Sequence, residues 1–390
     1  MSRTAVIVGA GIGGLAAAIA LRRAGWSIRI VERASSPREL GFALALAPNA
    51  MAALRELGVA EAVGRKGAEV DAFEVRRGDG TFLKRIEFRA GSARSVVTLR
   101  PALHGTLLDT VGPEPLLLGR DVVGFANAAG GVTLNLADGS SLTADVVIGA
   151  DGVGSAIRRR LHPSEPPPRP SGYYALRGVT HDLPRRPGDA STTVYLGDGV
   201  EAGVARASAT AVYWYLSLVD EYVPSPAASA PAILEACSRG MDERFVSIAR
   251  AASPESLRLE QLWVRDPIRE WGKGAVTLLG DAAHPVLPHT AQGAALALED
   301  AVALGLALAP AGDPAAALRR YEAMRAGRTR RVVRAGPRIA ALTTTRSRVR
   351  ILARNAAIRL LPGSVLSVTL SLHARDPHGP LRGPGSHSRG

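Results

Sequence analysis

The stretch Thr4-Ala5-Val6-Ile7-Val8-Gly9-Ala10-Gly11-Ile12-Gly13-Gly14 reads as a short apolar strand running into a glycine-rich turn. An Ala/Leu-rich run, Leu15 to Ala24, follows; Gly25 stops it, and Ser27 to Val31 alternates into Glu32. Strand, tight turn, helix and second strand make one βαβ unit, the seed of a parallel sheet. A glycine-rich loop alone is only a turn, but between these elements each glycine acquires a task. Gly9 serves the tight turn, Gly11 lets backbone approach a pyrophosphate, and Gly14 allows close packing of helix on strand. The phosphates are expected at the helix N-terminus, beside Ile12 and Gly13. Glu32, with Arg33 next to it, closes the second strand where a carboxylate can accept hydrogen bonds from a ribose. An acid there favours an unphosphorylated ribose, so the tightly held nucleotide is expected to be FAD or NAD, not NADP.

Two later runs, Val146-Val147-Ile148-Gly149-Ala150-Asp151-Gly152 and Val276-Thr277-Leu278-Leu279-Gly280-Asp281, also look like buried parallel strands ending in Asp-containing loops. Parallel strands present ligands at their carboxyl ends, so three such ends can converge on one cofactor. Between these anchors the pattern changes to short alternating strands. Val70 to Phe88 and Tyr173 to Leu218 read as antiparallel sheet, and Val132 to Leu142 as a hairpin turning at Ala137-Asp138-Gly139. The expected fold is α/β: a Rossmann-like, dinucleotide-binding domain (FAD or NAD) over 1–70, 98–165 and 266–330, with an inserted antiparallel β-sheet substrate domain over 71–97 and 166–265. A stiff proline-rich connector, Pro163 to Pro170, joins them. A C-terminal helical segment over 331–376 and a Pro/Gly/Ser/His-rich, disordered tail over 377–390 complete the expectation.

Composition narrows the function. Only Met1-Ser2-Arg3-Thr4 precedes the first apolar run, which carries glycines in place of a small-residue cleavage site, so a cytoplasmic protein is expected. Asp281, Glu299 and Asp300 interrupt the most apolar region, and Leu360 to Leu372 is shorter than the roughly 18 residues that cross a bilayer. One cysteine, Cys237, allows neither an intrachain disulfide nor a thiolate metal cluster, and His284 has no second ligand nearby, so no metal site is expected. The net charge of +13 is concentrated: residues 319–390 hold sixteen arginines and no lysine against Glu322 and Asp376, a net +14 that leaves residues 1–318 at −1. Tyr321 is the single aromatic residue in that segment, which argues against nucleic acid. A solvated helix face, or attraction of an anionic partner, is the better reading. In particular, Arg346, Arg350 and Arg354 are expected to face water while Val349, Leu352 and Ala356 dock on the protein.

Leu279-Gly280-Asp281-Ala282-Ala283-His284-Pro285, followed by Gln292-Gly293-Ala294-Ala295 and the run Leu296 to Leu308, resembles the second FAD motif of the class A flavoprotein monooxygenases, the family of para-hydroxybenzoate and salicylate hydroxylases. Gly149-Ala150-Asp151-Gly152-Val153-Gly154-Ser155, with Arg158 one turn later, is similar to that family's Asp-Gly motif. The resemblance implies non-covalent FAD held by Asp281 at its ribityl chain, by Pro288, Gln292, Gly293, Ala294 and Ala295 near the flavin, by Arg100 from a helix start, by Val122 near adenine, and by Asp151. It further implies an enzyme that uses NAD(P)H as a transient co-substrate and O2 to hydroxylate or epoxidise a small aromatic or polyketide-like molecule through a flavin hydroperoxide. No second glycine fingerprint exists for the nicotinamide nucleotide. A dipole of the helix starting at Gln292 would favour the reduced anionic flavin.

The sequence departs from that pattern at two places. Gly41-Phe42-Ala43-Leu44 carries alanine where relatives often have a second glycine, removing latitude beside the expected flavin. Pro288 is followed by His289-Thr290-Ala291 where many relatives have an aromatic and a glycine. His289 and Arg177 are the candidate catalytic residues on the substrate side, as acid or base and as a partner for an anionic or phenolic substrate. On Val212 to Leu218, Tyr213, Tyr215 and Ser217 share one face and Trp214, Leu216 and Leu218 the other; either could be the pocket wall, with Tyr213 and Tyr215 the substrate candidates. The alternatives are a halogenase or prenyl reductase of the same fold, or a non-catalytic binding protein. Against a halogenase, no Trp-x-Trp-x-Ile-Pro segment occurs and the lysines are Lys66, Lys84 and Lys273 alone. Oligomeric state is left open.

Overall fold

The computed structural model describes residues 3–36, 41–88, 95–128, 130–223, 225 and 228–362. The expected tail, 377–390, lies outside them. Strands Thr4–Val8, Ser27–Val31, Leu116–Leu117, Val146–Gly149 and Val276–Leu278 form a five-stranded sheet, parallel at every pairing, with Thr4–Val8 at its centre. Parallel sheets are covered on both faces, which is why the inner strands Thr4–Val8 and Val146–Gly149 are apolar nearly throughout. Ala5, Val6, Ile7, Val146, Val147 and Ile148 are completely shielded. The ends after Val8, Gly149 and Leu278 therefore emerge side by side at one edge. At Gly9, with φ +104°, a Cβ would stand 2.5 Å from the Ala150 carbonyl oxygen; at Gly14 it would stand 1.9 Å from that of Gly9. Both close approaches exclude any larger residue.

The second sheet has seven strands in the spatial order Arg258–Val264, Arg169–Thr180, Val212–Val219, Val200–Arg206, Thr192–Leu196, Ala72–Arg77 and Phe82–Glu87. It is antiparallel except where Thr192–Leu196 runs parallel to Ala72–Arg77. That pair corrects the all-antiparallel expectation: strands so distant in sequence share no hairpin, and local alternation does not set their direction. Trp214, Leu216 and Leu218 form the buried back of this sheet, packed with Ile233, Phe245 and Ile248. The expected hairpin is Gly131–Leu136 paired with Ser141–Ala144, and Val122–Ala128 adds a third strand.

Helix Gly293–Leu308 is buried on nearly every side, including Glu299 and Asp300. Their partners come from the following helix, Pro314–Thr343, which is capped by Asp313 and crosses the expected boundary at residue 330 without a break. Arg325 donates to Asp300 at 2.7 Å and to Glu299 at 2.6 Å, and Arg328 donates twice to Glu299 at 2.7 and 2.9 Å. Among the described residues no helix is long and apolar enough to cross a membrane.

In the final helix, Arg348–Leu360, and the turn before it, Arg350 and Arg346 face water as expected, but the apolar stripe and Arg354 exchange their expected places. Val349 and Leu352 are 75% and 70% exposed and Ala356 is exposed, whereas Arg354 is 6% exposed. Arg354 donates to the carbonyls of Leu342, Thr343 and Leu196, and Ile358 packs beside Val75, Leu83 and Leu196. Three carbonyls at the end of one helix and one strand claim the guanidinium more strongly than the apolar stripe claims the core.

Burial alone would raise the Asp300 carboxyl, but His284 and Arg325 outweigh it and hold it down at about 2. Asp300→Asn is expected to cost about 3–5 kcal/mol near neutrality, because it takes from the buried Arg325 guanidinium one of its two carboxylates. The folded-state value lies below the unfolded one, so the stabilisation is complete above about pH 5 and is lost as pH falls toward 2. Urea unfolding of parent and variant across this range should show a gap that narrows with acid; a gap independent of pH would refute the assignment.

Candidate functional site

The three adjacent strand ends open into a cavity of about 2230 Å³ that extends to the front of the seven-stranded sheet. This is well beyond the roughly 300–1,000 Å³ of a drug-sized ligand site, and leaves room for a dinucleotide and a second molecule.

The cofactor end is built from the expected residues. Gly9, Gly11, Ile12, Gly13, Glu32 and Arg33 line it, as do Arg100, Val122 and Asp151. Glu32 accepts the Ala10 amide at 2.8 Å and the Ala34 amide at 2.9 Å, so it shapes the glycine turn while facing the cavity. Arg100 is the first residue of helix Arg100–Val111, as the resemblance implies. Asp151 accepts the Ala156 amide at 2.7 Å through Oδ2, a capping bond, while its Oδ1 is buried without a partner. Burial raises its carboxyl. Asp281 stands on the turn Gly280–Ala282 with its side chain exposed to the cavity; depth within the protein raises its carboxyl against the pull of His284 and Arg100. Pro288, Gln292, Gly293 and Ala294 continue the wall.

Gly14 packs against the Gly9 backbone, the close helix-on-strand approach read from its position, and does not line the cavity. Ala295, which the resemblance places near the flavin, is not in the lining: as the third residue of its helix it is 1% exposed within the apolar core.

Three residues outside the expected contact set hold this end in place; Arg158 and His284 belong to the motifs quoted above, and Asn49 does not. Asn49 donates to Gln292 Oε1 at 3.0 Å and also to Glu299. Arg158, fully buried, donates to the carbonyls of Ala282 and Ala283 at 3.0 and 2.9 Å, clamping the loop that carries Asp281. His284 is buried, bonded through Nε2 to Asp300, with its ring 5.1 Å from Trp271. It orients the loop and does not line the cavity. An i+3 or i+4 spacing carries no sign of such long-range bonds.

On the substrate side, the front of the sheet proves to be the Tyr213, Tyr215 and Ser217 face. Tyr213 and Tyr215 stack at 5.9 Å, Phe42 lies 6.2 Å from Tyr213, and Gly203 leaves space for the Tyr215 ring, where a Cβ would come within 2.3 Å. Burial raises both phenols. Arg177 lines the cavity, bonded to Glu260 at 2.6 Å. His289 contacts Ser217 through Nε2 at 2.8 Å and Tyr173 edge-on at 5.4 Å, bridging the cofactor loop to the sheet. Burial lowers its imidazole below the ordinary value, so it is neutral at pH 7. Ala43 begins the strand Ala43–Leu46 in regular pairing with Leu99, a conformation open to any residue, so glycine is not required there. Ala291 differs: it is left-handed, with φ +50° and ψ +28°.

The residues present fit FAD. Glycine-only close approaches flank a helix N-terminus, the Glu32 carboxylate follows the end of the neighbouring strand, and Asp151, whose Oδ1 is buried without a partner, lines the same cavity. A dinucleotide-binding α/β protein with an aromatic-lined second compartment is the class this geometry defines.

Comparison with known proteins gives the family: residues 2–336 match the FAD binding domain family, and the chain belongs to it. Aurachin C monooxygenase/isomerase of Stigmatella aurantiaca is 35% identical over 342 residues, 86% of this chain and 88% of that protein. 3-Hydroxybenzoate 6-hydroxylase 1 of Aquipseudomonas alcaligenes is 34% identical over 353 residues, 85% and 87% of the two chains. The crystal structure of Klebsiella pneumoniae HpxO complexed with FAD and uric acid superposes with a TM-score of 0.87 at 28% identity, covering 97% of this chain and 98% of that one. The protein is an FAD-dependent monooxygenase.

Asp281→Ala is expected to weaken FAD retention at least about tenfold, since hydrogen bonds to a carboxylate contribute about 1.5–3 kcal/mol each. Flavin released on ultrafiltration measures it, and retention equal to the parent would remove Asp281 from the cofactor set. Ala291→Gly relieves a left-handed alanine costing about 1–2 kcal/mol, against about 0.5–1 kcal/mol of added chain entropy. The variant should melt at or slightly above the parent temperature; a loss exceeding about 1 kcal/mol would contradict the strain.

Proposed function

We propose that this monooxygenase consumes NAD(P)H and O2 to hydroxylate or epoxidise a small aromatic or polyketide-like substrate bound against Tyr213 and Tyr215. The observation that carries the reading is the single cavity joining the dinucleotide cradle to the aromatic wall. Relatives named for aurachin C and 3-hydroxybenzoate, and a structural neighbour holding uric acid, support a compact ring substrate. Bound FAD would supply the redox chemistry, accepting a hydride from NAD(P)H and passing electrons to O2, one atom of which enters the substrate.

The chain's own groups have definable tasks. The first-turn amides of helix Gly293–Leu308 lack intrahelical partners and face the cavity at Gly293 and Ala294, where they favour negative charge. Asp281 and Glu32 accept from hydroxyls. Neutral His289, held by Ser217, is available to take or relay a substrate proton. With one glycine fingerprint in the chain, NAD(P)H is read as a transient visitor. Lys66, Lys84 and Lys273 all lie off the cavity lining, which gives a halogenase reading no support.

In anaerobic stopped flow, NADH or NADPH is expected to bleach the bound flavin, faster with an accepted aromatic present, and peroxide yield on reoxidation should fall as product forms. Reduction by neither nucleotide would overturn this reading.

A further inference from the structure

Among the buried polar atoms on the sheet side of the cavity that have no hydrogen-bond partner are Glu201 Oε2 and His289 Nδ1, the two that flank Ser217. Glu201 lies on strand Val200–Arg206, directly across from Ser217, and lines the cavity while 6% exposed. Its other oxygen, Oε1, accepts the Tyr215 hydroxyl at 2.7 Å. Burial first, and then the Glu201 charge, push the Tyr215 phenol far up, so that hydroxyl stays a donor and Oε1 stays satisfied. Oε2 is left over. A buried acceptor without a partner costs roughly 1–3 kcal/mol, and more when charged. Such an atom calls for a donor brought by the cavity's occupant.

The neighbouring charges do not supply one. Arg354, on the helix that packs beside Leu196 across from Glu201, gives its guanidinium to the carbonyls of Leu196, Leu342 and Thr343. Arg177, on the same wall, is tied to Glu260. Around the Tyr213 and His289 rings the charged groups are Glu201, Glu260 and Arg177, a formal −1, with Arg354 a further cation near Glu201. His289 adds no positive charge, because burial keeps it neutral, and its Nδ1 offers a second polar contact whichever ring nitrogen bears the proton.

We propose that Glu201 determines substrate class: its free oxygen accepts a hydrogen bond from the ring N–H or phenolic O–H of an uncharged aromatic substrate, and its charge turns aromatic carboxylates away. This rests on the monooxygenase reading for the site's purpose, but the recognition itself needs no turnover. A site built to bond a polar hydrogen rejects the analogue that lacks it, because its own buried group is then stranded.

The test titrates FAD-loaded parent and Glu201→Gln protein, without NAD(P)H, and follows the flavin difference spectrum. The probes are 4-quinolone against N-methyl-4-quinolone, and 3-hydroxybenzamide against 3-hydroxybenzoate. The parent should prefer the N–H quinolone and the benzamide by about tenfold or more in Kd. In Glu201→Gln, which keeps shape and an acceptor but loses the charge, the benzamide preference should fall by at least about fivefold while FAD affinity is unchanged. Should that variant fail to retain FAD, the parent's two ratios decide. Parent affinity for the benzoate equal to or above that for the benzamide, an unchanged ratio in the variant, or no spectral response to any probe would each overturn the proposal. A protein that shows these preferences but is reduced by neither nicotinamide nucleotide keeps the Glu201 assignment and loses the monooxygenase reading; the opposite pair of results does the reverse.

Discussion

Two adjacent carboxylates buried in the middle of an apolar helix set the terms for the rest of this molecule. Glu299 and Asp300 are 4% and 0% exposed, and unpaired charges in such a place would cost several kcal/mol each. Arg325 and Arg328 make them tolerable, and the remaining lone pairs are put to use at the cofactor end. Asp300 accepts the Gly280 amide at 3.1 Å and holds His284; Glu299 holds Asn49, which holds Gln292. The loop bearing Asp281, the start of helix Pro48–Glu56 at Asn49 and the helix start at Gln292 are therefore fixed relative to one another by one network. Preorganisation of that kind lets a cavity bind a flexible dinucleotide without reordering its own walls.

This also explains where the sequence is misleading about its basic end. Sixteen arginines with few acids look like a solvated face, because local spacing registers charge but not distant partners. Arg325, Arg328 and Arg354 are instead among the most buried charged residues of the protein. The first two answer acids some 25 positions earlier, and the third answers carbonyls of another helix and a strand. Amphipathic periodicity failed for Arg348–Leu360 for the same reason: its polar residue had the better partner inside, so the apolar stripe was left facing out.

The cofactor end was legible because its signals are local. A tight turn after a strand, a helix start and a terminal carboxylate fall within about 30 residues, and close backbone approach permits only glycine at positions 9 and 14. The substrate end was legible only as a pair of alternatives. Alternation along Val212 to Leu218 separates two faces but says nothing of which meets the core, and the answer came from Phe245 and Ile248 packing behind Trp214. Glu201 did leave a trace, a single acid in the strand sequence Val-Glu-Ala-Gly-Val-Ala-Arg, but its pairing with Tyr215 depends on the register between two strands.

The cavity that results is lined by charges of both signs along its length. Arg33, Arg100, Arg120, Arg159 and Arg160 border one end together with Glu32, Asp121, Asp151 and Asp281, and Arg177, Arg185 and Arg206 stand with Asp71, Glu201 and Glu260 toward the sheet. Net charge therefore does not tell the two ends apart. What distinguishes the first is the glycine turn and the helix start at Ile12, whose backbone amides and dipole favour an anion without needing a side chain to move. A pyrophosphate would be held there by fixed backbone, and a dinucleotide so anchored would leave its ring system to face the aromatic wall.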